Sequence, residues 1–276
     1  MRLSPKTLIA GAAAAAVLAV APAAGAATYA TGGSTGMQVV ATALAQAYAK
    51  ETKGQVRFTV AGGGSGAGVN GVNSGTFVIG NSSSAPTSST AKGLIYTPIT
   101  VEPFVVIVNS ANKVSSLTQQ QISDIFTGKI TNWSQVGGEN CAIKGYTRIT
   151  GSGTLNTFRT LYLNNAAISG SFAAVGSNGL IRSGVAGNKC AVGFVTFAYT
   201  VGTTLPIKPL AVGGVAPSLA NTKSGKFTYA GYQYFVTKGY PNDVVQKYIE
   251  WCRGSGTAKA IIEKYALPTT AAQIFT

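Results

Sequence analysis

The chain has 276 residues, 46% of them hydrophobic, enough to bury the core of one large domain or of two lobes of ordinary size; its 35 glycines cluster in short loops between apolar runs, which excludes a collagen-like or low-complexity tract. Twenty-one basic residues against 7 acidic ones give a net charge of +14, which favours acidic partners, yet beyond the N-terminal segment the basic residues are scattered from Lys50 to Lys264 without a run or an aromatic-basic motif, so no nucleic-acid partner is expected. There is no histidine, which excludes a histidine-based catalytic triad and disfavours a zinc centre.

At the N-terminus, Arg2 and Lys6 flank the start of an alanine-dominated apolar stretch over residues 7–20, followed by Ala24-Gly25-Ala26, small residues where a peptidase needs them. Residues 1–26 therefore read as a secretory signal peptide cleaved before Ala27, with an apolar core too short to favour a spanning helix. Its removal leaves about 250 residues with a charge of about +12 (14 less Arg2 and Lys6), periplasmic or secreted, in which no segment is long and apolar enough to cross a bilayer.

Beyond the leader, strands alternate with helices. Residues 37–51 have helical apolar spacing behind Gly32-Gly33-Ser34-Thr35-Gly36, a glycine-hydroxyl loop suited to capping. Residues 56–61 alternate as a strand and run into the glycine-rich stretch 62–68, which contains Ser65, before a short helix near Val69. A short strand at 77–80 ends at Asn81-Ser82-Ser83-Ser84-Ala85-Pro86. Residues 97–109 are β-branched and apolar with internal prolines, more like a segment passing between lobes than one regular strand. Leu117-Thr118 opens a helix with Ile122, Ile125 and Phe126 on one face. Strand signals return at 146–149, followed by Ser152-Gly153-Thr154 and then Leu155, Phe158, Leu161 and Tyr162 at helical spacing. Further strands are expected at 191–197 and 227–237, and terminal helices at 242–253 and 255–265. A chain that leaves one lobe near residue 105 and returns near 230 has two crossovers, which would permit hinge closure.

The stretch from Arg148 to Thr154 has the makings of an anion site. The first N–H groups of a helix lack internal partners, the Ser152 and Thr154 hydroxyls add donors, and Arg148 offers a planar fork to an oxyanion. Two further glycine-hydroxyl loops, around Thr35-Gly36 and Ser65, have the same character. Export also permits disulfides: Cys141 and Cys190 flank strands of one region and are the expected pair, with Cys252 left over, although a plain apolar role for any of the three stays open.

The run Ile122-Ser123-Asp124-Ile125-Phe126-Thr127-Gly128-Lys129-Ile130-Thr131-Asn132-Trp133, then Arg148 with Ser152-Gly153-Thr154, Ala191-Val192-Gly193-Phe194, and the ending Tyr265-Ala266-Leu267-Pro268 closely resemble the periplasmic phosphate-binding proteins of ABC-type phosphate uptake. The resemblance spans nearly the whole chain beyond the leader. It implies an α/β, two-lobed periplasmic-binding-protein fold with two interlobe crossovers and a central ligand cleft. Residues 27–105 and 231–276 would form one lobe and 106–230 the other. It further implies a monomer without a cofactor that captures phosphate or a related oxyanion and presents it to an ABC-type membrane permease. Carried over residue by residue, Thr35 and Gly36 match the family's first binding loop, Ser65 the second, and Arg148, Ser152, Gly153 and Thr154 the fourth.

Two positions depart from the family pattern. Ser84 stands where the family shows an aspartate before Ala-Pro, and Gly36 where an aromatic residue is usual. A buried aspartate accepts a hydrogen bond from a protonated oxyanion and repels one with no proton to give; serine does neither so selectively, and phosphate-over-sulfate discrimination should relax.

Each of these features also has a plain structural explanation. The 62–68 stretch reads equally as a tight turn, Ser34-Thr35 as a helix cap, residues 82–84 as a solvated turn and Arg148 as a partner in an ion pair. Trp133 reads as a packing residue and Lys129 as a solvated charge. Catalysis has no support: Ser152 and the three cysteines lack a histidine, and the carboxylates form no recognisable acid/base pair. A secreted or surface-associated protein using the same scaffold and its basic exterior to bind anionic polymers is the alternative function.

Overall fold

The computed structural model describes residues 25–90 and 92–269. The expected leader, residues 1–26, lies outside them except for Gly25 and Ala26. In chain order, β1 (Ala27–Gly33), α1 (Gln38–Glu51), β2 (Val56–Ala61), α2 (Ser65–Asn73) and β3 (Ile79–Ser82) lead into β4 (Leu94–Asn109). There follow β5 (Ser116–Leu117), α3 (Gln119–Thr127), β6 (Lys144–Arg148), α4 (Gly153–Leu163), β7 (Ala173–Val175), α5 (Asn178–Ala186), β8 (Ala191–Thr196), β9 (Ile207–Pro209), β10 (Ala211–Val212) and α6 (Leu219–Lys223). Then β11 (Ala230–Lys238) returns, followed by α7 (Asp243–Gly254), α8 (Gly256–Ile262) and β12 (Leu267–Pro268).

The strands run β2-β1-β3-β11-β4-β8-β6-β7. Residues 94–103 of β4 pair antiparallel with β11, whereas residues 104–108 pair antiparallel with β8. One strand thus serves two sheet regions. The cores divide at the same place: Ile99 packs with Met37, Leu44, Ile79 and Phe235, while Phe104 packs with Phe126, Phe158, Phe194 and Phe227. A third cluster, with Val105, Ile181 and Val195, covers the opposite face of the second sheet region. Two apolar cores joined through β4 and the approach to β11 make the α/β, two-lobed architecture with two crossovers.

Three local expectations need correction. The prolines at 98 and 103 do not prevent β4 from running as one 16-residue strand. Opposite Pro98 the β11 ladder already shifts register between Gln233 and Tyr234, so the missing N–H falls where regular pairing is interrupted. Secondly, the hydroxyls of Ser34 and Thr35 do not cap α1, whose N-cap Met37 makes no side-chain bond. Ser34 Oγ instead bonds Ser83 Oγ and accepts from Gly36 N–H, while Thr35 Oγ1 accepts from Asn178. Thirdly, α2 begins at Ser65, inside the glycine-rich stretch, with Gly64 supplying φ 92°.

Elsewhere the local chemistry follows the sequence. Thr118 and Gln121 form a capping box for α3. Trp133 is buried and its Nε1 donates to Cys190 O at 2.8 Å, beside the Cys141–Cys190 disulfide. Cys252 is buried and free. Exposed Lys129 pairs with Asp124 at 3.2 Å. Among the described residues no helix is long and apolar enough to cross a membrane.

Candidate functional site

Four helix starts meet between the cores: those of α1, α2, α4 and α5. Asn178, the first residue of α5, donates to Thr35 Oγ1 from its backbone N–H at 3.2 Å and from Nδ2 at 3.0 Å; Nδ2 also lies 3.2 Å from Thr154 Oγ1 in α4. At the start of α2, Gly66 N–H donates to Gly151 O at 3.0 Å, and Ser65 Oγ accepts from Ser83 N at 3.0 Å. Thr157 Oγ1 of α4 donates to Ser83 O at 2.5 Å. Thr196 Oγ1 donates to Gly36 O at 2.9 Å and Tyr199 Oη to Thr35 O at 2.7 Å, tying the α1 start to the second sheet region. The positive ends of the helix dipoles therefore share one small region.

Arg148 ends β6 and is 2% exposed. Its Nε donates to Val175 O at 3.2 Å and its Nη2 to Gly176 O at 2.8 Å, which fixes the guanidinium plane, while buried Nη1 has no hydrogen-bond partner. No carboxylate forms an ion pair with it among the described residues. Burial lowers its pKa to about 10, so it remains a cation at neutral pH. A buried cation held only by neutral carbonyls is electrostatically under-compensated, and an oxyanion is the partner that its fork suits.

The hydroxyls complement it by their direction. Thr35 Oγ1, Ser65 Oγ, Ser152 Oγ and Thr154 Oγ1 each accept a bond from an amide N–H, Ser152 by capping α4 through Leu155 N at 3.2 Å. None of the four donates to a protein acceptor among the described residues. A hydroxyl has one proton to give, and because none of these four spends it on the protein, each O–H is available to a ligand. The first-turn N–H groups of Gly153 and Thr154 likewise have no i−4 acceptor within α4.

Close approach explains two glycines. A Cβ at Gly36 would stand 2.8 Å from both Ser83 Oγ and Thr154 Oγ1, and one at Gly153 would run into Ser65 Oγ and lie 2.8 Å from Ser84 Oγ. Side chains at either position would prise the loops apart, which accounts for glycine where an aromatic residue is usual at position 36.

Seven of the eight candidate residues lie in loops or helix starts, and Arg148 ends β6. Arg148 forms no direct hydrogen bond to the other seven; it reaches them through the 175–178 segment. Ser84 Oγ is buried without a partner. The alternatives of a solvated turn and a surface ion pair do not hold, since Ser82 and Ser83 are buried and Arg148 is neither exposed nor paired.

Several participants escaped the sequence reading. Asn178 is the main one; its signal was Ser177, an N-cap residue whose Oγ accepts from Leu180 N at 3.0 Å, followed by Ile181 and Val185 at helical spacing. Gln233 was another: its Oε1 accepts from Ser83 Oγ at 2.5 Å, and Ser83 Oγ also bonds Ser34 Oγ. Glu102 is fully buried, and its Oε1 accepts from Ala198 N at 2.8 Å. Desolvation, only partly opposed by hydrogen bonds from Ala198 and Thr196, raises its pKa to about 8. It is thus mainly uncharged at pH 7 and does not neutralise Arg148. A single acid inside an apolar run was the available clue.

A family model described as a PBP superfamily domain matches residues 19–253. The phosphate-binding protein PstS of Bacillus subtilis (strain 168) is 28% identical over 233 residues, covering 83% of this chain and 76% of that protein. A Clostridium perfringens substrate-binding protein solved with bound phosphate and assigned to phosphate ABC transport is 25% identical, with a TM-score of 0.82 over 88% of this chain and 100% of that one. The ABC-type phosphate transport receptor of Vibrio cholerae matches with a TM-score of 0.68 at 25% identity, again over 88% of this chain and 100% of its own.

Proposed function

The chain belongs to the PBP superfamily, and from that premise we propose that it is an exported solute-binding protein that captures phosphate or a similar tetrahedral oxyanion for an ABC-type importer. The observation that carries this reading is a buried guanidinium with Nη1 unpartnered, together with four hydroxyls that accept from amide N–H groups and keep their own protons free. Such a site is a donor array around a buried positive charge, complementary to an oxyanion group. Relatives that bind phosphate in transport support the same assignment.

In this reading Arg148, Thr35, Gly36, Ser65, Ser84, Ser152, Gly153 and Thr154 contact the anion, and residues 27–105 with 231–276 close against residues 106–230. Closure removes water, and charge-assisted hydrogen bonds then replace the anion's hydration. The protein acts by binding and release and is not an enzyme. Residence in a periplasm or outside the cell follows from the leader expected at residues 1–26.

Titration calorimetry of inorganic phosphate into wild type and Arg148→Ala tests the assignment. The wild type should bind, and Arg148→Ala should lose more affinity than deletion of any single hydroxyl among Thr35, Ser65, Ser152 and Thr154. Full phosphate affinity in Arg148→Ala would refute the site.

A further inference from the structure

Resting on the reading of an oxyanion site, we propose that the ligands of this protein include phosphate monoesters, whose organic substituent occupies a groove opening from that site past Ser84. The groove holds about 390 Å³ and is lined by Ser84, Pro86, Asn156, Thr160, Tyr232 and Tyr234, among others. Its walls come from the 83–87 loop, α4 and β11, so it lies between the two lobes. This is ample space for a ring-sized group, within the range of small-molecule pockets.

Ser84 joins the two compartments. It lines the groove, while its buried Oγ lies 2.8 Å from where a Cβ on Gly153 would project, at the first turn of α4. That Oγ has no hydrogen-bond partner. A hydroxyl so placed can donate to the bridging oxygen of an ester, an acceptor without a proton. A carboxylate at this point would require a P–OH and repel P–OR; the seven acids of the chain include only one that is buried, Glu102, and it bonds Ala198 N instead. Nothing in the site therefore demands a fourth free phosphate oxygen. The faces of Tyr232 and Tyr234, 6.0 Å apart between centroids, and the ring of Pro86 offer apolar surface to the substituent. The charged end meets Arg148 and the helix starts, and the uncharged end meets the groove.

Calorimetry with two probes, inorganic phosphate and phenyl phosphate, tests the inference on wild type and on Thr160→Trp and Asn156→Trp. These exposed positions lie one turn apart on α4, line the groove and stand outside the anion-binding set, so an indole there should obstruct it. Wild type should bind phenyl phosphate within about tenfold of inorganic phosphate. At least one tryptophan variant should weaken phenyl phosphate by tenfold or more while inorganic phosphate binding stays unchanged. If inorganic phosphate binds but phenyl phosphate binds over a hundredfold more weakly, or is indifferent to both tryptophans, the groove proposal is wrong and the oxyanion reading stands. If neither probe binds, both readings fall.

Discussion

Asn178 and Thr35, 143 residues apart in sequence, are joined by two hydrogen bonds to the same oxygen, from the Asn178 backbone N–H at 3.2 Å and from Nδ2 at 3.0 Å. Because Nδ2 also reaches Thr154, one amide sets the direction of two hydroxyls. Asn178→Ala removes both Nδ2 bonds, so Thr154 loses its amide donor while Thr35 keeps only the backbone N–H. At about 0.5–1.5 kcal/mol per hydrogen bond, phosphate affinity should drop by about 1–3 kcal/mol, or roughly fivefold to a hundredfold. Calorimetry that finds unchanged affinity would show that the hydroxyls need no such guide.

On the proposed reading, Ser84 should set the selectivity. Wild type should hold sulfate within about a factor of ten of phosphate across pH 6 to 8, whereas Ser84→Asp should reject sulfate and favour protonated phosphate, because a fixed carboxylate needs a proton from its ligand. Competition between the two anions measures this. A strong phosphate preference in the wild type over that whole range would contradict it.

Glu102 predicts a pH dependence of stability. Its folded pKa of about 8 lies above the ordinary 4.5, so the folded state holds a proton that the unfolded state has already lost between those values. The contribution is complete below about pH 4.5 and is lost as pH rises toward 8. At about 1.4 kcal/mol per unit, wild type should lose several kcal/mol relative to Glu102→Gln between pH 5 and 9. Urea unfolding of both proteins across this range reads it; parallel curves would mean that Glu102 is ionised in the fold.

The Cys141–Cys190 disulfide closes a loop with a sequence separation of 49. Chain entropy assigns such a loop about 4 kcal/mol. Reduction should therefore lower the denaturant midpoint markedly while Cys252, whose thiol pKa burial pushes up, stays unreactive to thiol reagents until the protein unfolds. Reaction of Cys252 in the folded, reduced protein would place it at the surface.

How much of this was legible depended on whether the determinant was local. Residues 56–61 were readable as a strand because alternation and flanking glycines are local, and Ser152 before Leu155, Phe158 and Tyr162 marked the start of α4 for the same reason. The run holding Pro98 and Pro103 was not readable as one strand, since its continuity depends on a register shift in a partner more than 130 residues later. Ser34 and Thr35 looked like caps because that is their local preference; distant Ser83 and Asn178 outcompeted it. Arg148, Ser65 and Ser152 were candidates by residue type, but Asn178, Gln233 and Glu102 make contacts that only the folded topology brings about.

The most direct test of the central claim is a crystal structure of the protein grown with millimolar inorganic phosphate and no sulfate. One tetrahedral anion should lie between the lobes, within hydrogen-bonding distance of Arg148 Nη1, the Thr35, Ser65, Ser152 and Thr154 hydroxyls and the Gly153 N–H. An anion bound only at exposed lysines, with Arg148 still holding Val175 and Gly176 alone, would contradict it.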